Sequence, residues 1–257
     1  MQKLTIIKVG GKIVEEPDSL AKLINDFAKI PGLKLLVHGG GRSATKIAEQ
    51  LGIQQKMVDG RRITDIETLR VVTMVYGGLV NKNIVTSLQA IGINAIGLTG
   101  ADMNIIRSHK RPATEIDYGY VGDVDKVDAD AIAQLLHRGL VPVIAPLSHD
   151  GMGSLLNTNA DTSASEVAQA LATLFDTTLT FCFEKAGVLA DENDDNSVIK
   201  KIDRATFNQL RDRNIIAGGM IPKLDNAFKA LKSGVKEVVI TKADTIAING
   251  SGTTICD

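Results

Sequence analysis

The sequence has only two cysteines, Cys182 and Cys256, in 257 residues. That excludes a disulfide framework and favours reduced cytosolic thiols over a redox or metal role. There is no basic surplus: 29 Lys and Arg stand against 30 Asp and Glu. The footprint of a general nucleic-acid binder is therefore missing. No apolar run approaches the ~20 residues that span a bilayer. The opening MQKLTIIKVGGK lacks a basic segment followed by a long apolar one, so no signal peptide is expected. No G-x-x-x-x-G-K-[ST] occurs, so a nucleotide would not sit in a Walker-type loop. No G-x-S-x-G elbow occurs, so the HGGG at 38–41 is not read as an esterase oxyanion stretch. The spacing Gly39-x-Gly41-x-x-Ala44 formally matches a dinucleotide fingerprint. It follows the second strand pattern, however, and lacks the acidic partner about 20 residues on.

What is present is a series of short apolar runs at 4–9, 33–38, 94–98, 140–145, 177–183, 236–240 and 246–249. Turn residues bound them, as they bound buried strands. Helical patterns at 18–29, 43–51, 65–91, 128–137, 161–175, 204–213 and 222–232 separate most of them. The first of these carries Leu20, Leu23, Ile24 and Phe27 on one face. Alternating strand and helix predicts an α/β fold, a mainly parallel sheet with helices on both faces. Residues 103–127 are less regular and read as a hairpin or flap. The acidic stretch 191–196 reads as a solvated loop.

The 24 glycines cluster, and the polar residues of interest lie beside them. Lys8 interrupts the first apolar run near its end, separated by one residue from Gly10 and Gly11. Two readings are open: a lysine snorkelling to the surface, or a cation at the carboxyl end of a strand, where ligands bind in open α/β sheets. His38 precedes three glycines that open a helix, and is read as a packed, hydrogen-bonded residue. Of Arg61 and Arg62, one is read as solvated and the other as a carboxylate clamp. Asn157, Asn159 and Asp161 alternate before a helix. Capping accounts for one of them; the excess points to substrate hydrogen bonds and to an acid that orients cations. Lys223 falls in the first turn of a helix, where the macrodipole disfavours a cation unless an anion is bound.

Taken in order, KVGGK at 8–12, HGGGR at 38–42, DGRRIT at 59–64, GLTGADMN at 97–104, GYVGDV at 119–124, NTNAD at 157–161 and GGMIPK at 218–223 resemble the amino-acid kinase superfamily. Within it they are most similar to the N-acetylglutamate kinases. The resemblance runs through essentially all of 1–257. It implies one domain, a three-layer α/β/α sandwich. An acylglutamate-binding and dimerisation lobe would span about 1–175, and an ATP-binding lobe about 176–257. It also implies a cytoplasmic homodimer that transfers phosphoryl from ATP to the γ-carboxylate of an N-acyl-L-glutamate, in arginine biosynthesis. Mg2+ would be held mainly by the phosphates. No nucleic-acid or membrane partner is implied.

By the same resemblance Lys8 and Lys223 neutralise the transferring phosphoryl, and Asp161 holds both ammonium groups. Gly11 and Gly41 donate backbone N–H groups, with Gly10 and Gly40 close by. Arg62 and Asn157 bind the glutamate end, beside Gly40 and Gly41, with Asn159 in support. Glu184, Lys185, Ala186, Gly187, Val188, Leu189, Ile215, Ile216 and Ala217 receive the nucleotide. Two departures stand out. FEKAGV at 183–188 replaces a TDVxGV-like loop. Ala101 and Met103 stand where lysine and glycine are common, so a longer acyl group such as succinyl is an alternative. Further alternatives are a carrier-linked aminoadipate, or a non-catalytic amino-acid sensor. The first strand starts about three residues in. That leaves no room for the extra N-terminal helix of arginine-inhibited hexameric members, so a dimer without that inhibition is expected.

Overall fold

The computed structural model describes residues 1–256 apart from Asp59, Glu192, Ala217 and Gly219, and apart from the side chain of Pro222. The chain runs β1 (Lys3–Val9), α1 (Gly11–Glu15), α2 (Pro17–Lys29), β2 (Leu33–His38), α3 (Gly41–Gln50), and the hairpin β3 (Lys56–Val58) and β4 (Arg61–Ile63). A helical stretch follows: α4 (Ile66–Val72), a π-helical segment at Thr73–Val80, and α5 (Asn81–Ala90). Next come β5 (Ala95–Leu98), β6 (Ile106–Lys110), β7 (Gly122–Val127), α6 (Ala129–His137), β8 (Val141–Ile144), β9 (Leu147–His149) and β10 (Leu155–Asn157). The remainder is α7 (Ala160–Leu171), β11 (Asp176–Phe183), β12 (Lys201–Ile202), α8 (Arg204–Asp212), α9 (Met220–Lys232), β13 (Glu237–Lys242) and β14 (Thr253–Ile255).

Eight strands form the central sheet in the order β12-β14-β13-β11-β1-β2-β8-β5. All pairs are parallel except β13 with β14. The α/β reading is therefore met, and the inner strands are near-continuous apolar runs because both sheet faces are covered. Alternation along the strands sorts side chains between two apolar layers. Leu4, Ile6, Leu35, Val37, Leu179 and Phe181 share one layer with α6, α7 and α9. Ile7, Val9, Leu36 and Val143 share the other with α2, α3 and α5. A second sheet, β10-β9-β6-β7, carries the expected β6–β7 hairpin.

Two expectations are corrected. Residues 246–249 form turns, not a strand; Ala243–Thr245 is a 3-10 helix and the sheet is completed by β14 instead. Residues 65–91 are helical but not uniformly α, since the π-helical turn interrupts them. The register explains where chemistry can occur. Val9 of β1 pairs with Cys182 on one side and with His38 on the other. The carboxyl ends of β1, β2 and β11 thus bring Gly10–Gly11, Gly39–Gly41 and Phe183–Glu184 side by side, around the point where strand order reverses.

Candidate active site

Lys8 lies on the same β1 face as Leu4 and Ile6, one step beyond the apolar row, so its side chain turns toward α7. There its Nζ lies 2.6 Å from Asp161 Oδ1, with the two side chains only 7% and 15% exposed. The Asn159 side chain caps α7, its Oδ1 accepting from the amides of Asp161 at 2.9 Å and Thr162 at 3.0 Å. Capping thus employs Asn159, and Asp161 in the first turn is left to meet the lysine.

Lys223 arrives from the first turn of α9. Its Nζ lies 4.0 Å from the centroid of the Phe183 ring, and Lys8 Nζ lies 5.5 Å from the same centroid. Burial holds the Lys223 ammonium below the usual lysine range; Asp161 opposes the shift and Lys8 adds to it. Lys8, Asp161 and Lys223 therefore act on one another electrostatically around one aromatic ring. Sequence reasoning missed Phe183 as a site residue. The only signal for it was an aromatic residue ending an apolar run beside Glu184.

The glycine turns pack against each other. A Cβ on Gly11 would lie 3.3 Å from the amide nitrogens of both Gly40 and Gly41. A Cβ on Gly40 would meet the Tyr76 ring at 2.9 Å, so only glycine lets this turn seat on the π-helical segment. Glu15 Oε1 accepts from the Ser43 amide at 2.8 Å, tying the end of α1 to α3. Gly10, Gly11, Gly41, Arg42, Phe183 and Glu184 line an open cavity of about 600 Å³.

A second cavity, of about 190 Å³, adjoins it and is lined by Gly40, Gly41, Arg62 and Asn157, together with Arg61 and Arg111. Arg62 is buried. Its guanidinium donates to Gln55 Oε1, to the Gly41 carbonyl at 2.8 Å and to Thr45 Oγ1 at 2.9 Å. Asn157 Nδ2 donates to Thr64 Oγ1 at 2.9 Å. Arg111 is paired with Asp123, which holds the Asp123 carboxyl below its usual range. Ala101 and Met103 are not among the residues lining this cavity. Met103 instead adopts φ +53° in an exposed turn, a conformation that a glycine would take without strain.

The residues expected at a nucleotide divide into two groups. Glu184 is exposed and pairs with Lys12 at 2.8 Å and Arg42 at 3.7 Å; Lys185 pairs with Asp195 at 2.9 Å. Ala186 and Ile215 are also accessible. Val188, Leu189 and Ile216 bury their side chains in the core, so only their backbones could face a ligand. A Cβ on Gly187 would lie 2.7 Å from Thr253 Oγ1, and the Val188 amide donates to that oxygen at 2.8 Å. Ala217 lies outside the described residues. Cys182 is fully buried and its thiol is pushed up to about 12 by burial, which leaves it a packing residue.

The chain matches the amino acid kinase family over residues 3–242. It is 68% identical to the acetylglutamate kinase of Bacteroides thetaiotaomicron over 248 residues, 96% of each chain. It is 66% identical to the acetylglutamate kinase of Parabacteroides distasonis, covering 99% of this chain and 100% of that one. Among solved structures, smu.665 from Streptococcus mutans UA159 superposes with a TM-score of 0.80 at 30% identity, covering 98% of both chains. A family model matched over most of the chain, and a likeness to relatives that spans nearly the full length, give one conclusion: the chain belongs to the amino acid kinase family.

Proposed function

We propose that this chain transfers the γ-phosphoryl group of ATP to the γ-carboxylate of N-acetyl-L-glutamate, a step of arginine biosynthesis. The observation that carries the reading is the meeting of Lys8, Asp161 and Lys223 at the carboxyl ends of the central strands. The acceptor is already ionised at neutral pH, given a reference Glu pKa of about 4.3, so no general base is needed. Catalysis is then positioning and charge stabilisation. Lys8 and Lys223 neutralise the phosphoryl group as it passes between the two oxygens. Asp161 holds both ammonium groups in place, and the amides of Gly11 and Gly41, with Gly10 and Gly40 beside them, donate to the oxygens of the phosphoryl group.

Arg62 and Asn157 bind the glutamate end in the smaller cavity, with Asn159 supporting their segment. The nucleotide, entering as MgATP with the metal on its phosphates, lies along 184–189 and 215–217. Residues 1–175 thus serve the acylglutamate and 176–257 the nucleotide. Ile66, Met74 and Leu79 leave an apolar face exposed along α4 and the π-helical segment, and this face fits a homodimer. Among the described residues no helix is long and apolar enough to cross a membrane, and reduced cysteines fit a cytoplasmic site of action.

A second reading keeps the chemistry and changes the acyl group. Arg61 and Arg111 line the smaller cavity beyond Arg62. A succinyl carboxylate could take Arg111 from Asp123, whereas acetyl offers it nothing. Trapping the acyl phosphate as a hydroxamate, with MgATP and either N-acetyl- or N-succinyl-L-glutamate, tests both readings. Hydroxamate with the acetyl substrate supports the first and hydroxamate with succinyl alone the second. None with either, from folded protein, defeats the assignment.

A further inference from the structure

His38 ends the β2 row that faces α5 and is wholly buried. Its Nδ1 lies 2.7 Å from the carbonyl oxygen of Gly39, and its Nε2 lies 3.1 Å from Asn81 Nδ2. A carbonyl oxygen only accepts and an amide NH2 only donates. The two contacts therefore admit one tautomer, with the proton on Nδ1 and the lone pair on Nε2. The orientation of the Asn81 amide is itself fixed. Its Nδ2 donates to the Val143 carbonyl at 2.9 Å, and its Oδ1 accepts from Lys82 Nζ at 3.3 Å. Space for this amide comes from Gly97, where a Cβ would stand 1.8 Å from Asn81 Oδ1. Burial lowers the His38 imidazole to about 4, so the ring is neutral at neutral pH.

This polar chain crosses an otherwise apolar layer, where unpaired polar groups are costly. Its effect falls on one peptide group. The structure has no cis peptide bonds among its described residues, so the Gly39 carbonyl and the Gly40 N–H point in opposite directions. With the carbonyl drawn inward to His38, the Gly40 N–H is turned toward the cleft. It donates to no backbone carbonyl among the described residues, and Gly40 lines the smaller cavity beside Arg62 and Asn157.

We propose that His38, held by Asn81, is a positioning residue: its Nδ1–H locks the Gly39–Gly40 peptide so that the Gly40 N–H meets an oxygen of the transferring phosphoryl group. The proposal rests on the kinase reading above. Two-bond ¹H–¹⁵N spectra of the full chain, labelled on its 4 histidines, read the tautomer directly, with His38→Asn identifying the signal. A protonated Nδ1 and bare Nε2 at neutral pH are expected; a protonated Nε2 overturns the proposal.

Kinetics give the second arm. In His38→Asn the amide falls near the Nδ1 position and can still donate to Gly39. In His38→Gln it falls near Nε2 and cannot, although Gln fills more of the space. His38→Gln is expected to lower kcat on the order of 10²-fold, the cost of one missing oxyanion donor, with little change in the acylglutamate KM. His38→Asn is expected to retain most of the turnover. Equal losses in the two variants, or losses confined to KM, overturn the relay and leave the kinase reading intact. A wild-type chain that yields no hydroxamate overturns both.

Discussion

The Lys223 ammonium lies 4.0 Å from the centroid of the Phe183 ring. The ring's negative face offsets a cation that burial otherwise disfavours, and Lys8 approaches the same ring from 5.5 Å. Phe183→Leu keeps an apolar side chain and removes this attraction. Turnover is expected to fall by about 3- to 30-fold, corresponding to ~0.5–2 kcal/mol, while Phe183→Tyr stays close to the parent. Steady-state rates on the pair decide it; equal losses would show that the ring acts by volume alone.

Lys8→Ala and Lys223→Ala should each lower kcat by about 10²- to 10³-fold, as expected when a group stabilises charge that develops in the transition state. The KM values for both substrates should change far less. An effect confined to KM in either variant sinks this assignment of roles.

Asp161 raises the proton affinity of Lys223, whereas burial lowers it. Asp161→Asn removes the opposing charge, so the lysine loses its proton at lower pH. The alkaline limb of the kcat/KM profile should therefore move to lower pH, along with a loss of turnover. A limb that moves to higher pH contradicts the electrostatic linkage.

His38 titrates at about 4 when folded, against an ordinary value of 6.5. Between those values the unfolded chain binds a proton that the folded chain refuses. Stability is thus complete above pH 6.5 and is lost as pH falls toward 4, by about 3 kcal/mol from this group. Urea unfolding from pH 7 to pH 4.5 should show a steeper decline in wild type than in His38→Asn. Parallel declines would place the acid sensitivity elsewhere.

Ile66, Met74 and Leu79 are 46%, 56% and 48% exposed on neighbouring turns. If the proposed homodimer uses this face, the parent should scatter light as a dimer, and paired Met74→Glu and Leu79→Glu substitutions should leave a monomer at the same protein concentration; a monomeric parent overturns the dimer. A variant that keeps the parent's mass moves the interface to another surface.

The main sheet was legible because its inner strands are largely apolar runs with turn residues close by, glycine after β1 and β2 and proline after β8. Their order and register were not, because every such run looks alike until long-range pairing selects its neighbours. The short edge elements were the weak point. Residues 246–249 carry two isoleucines and an alanine but fold as turns, while the actual strand, Thr253–Ile255, holds two threonines after a Gly-Ser-Gly stretch. At the site, residue types and glycine spacing singled out Lys8, Asp161 and Lys223. Their meeting was implied only by the family resemblance; the local pattern could not give it, since it depends on the side of β1 that Lys8 faces and on where α9 docks. Phe183 and the His38–Asn81 contact lay beyond local pattern, because both partners in each pair come from different elements.

Thr253 has a bearing on how the molecule is made. It receives the Val188 amide across 65 residues of sequence, and Gly187 is shaped to its hydroxyl. The ribosome delivers both glycine turns, Lys8, Asp161 and Lys223 before it delivers this threonine. A chain lacking Thr253 would keep Lys8, Asp161 and Lys223 in its sequence and still lack the hydroxyl that holds loop 184–189. On the reading proposed above, the shape this loop offers a nucleotide depends on a residue 65 positions downstream.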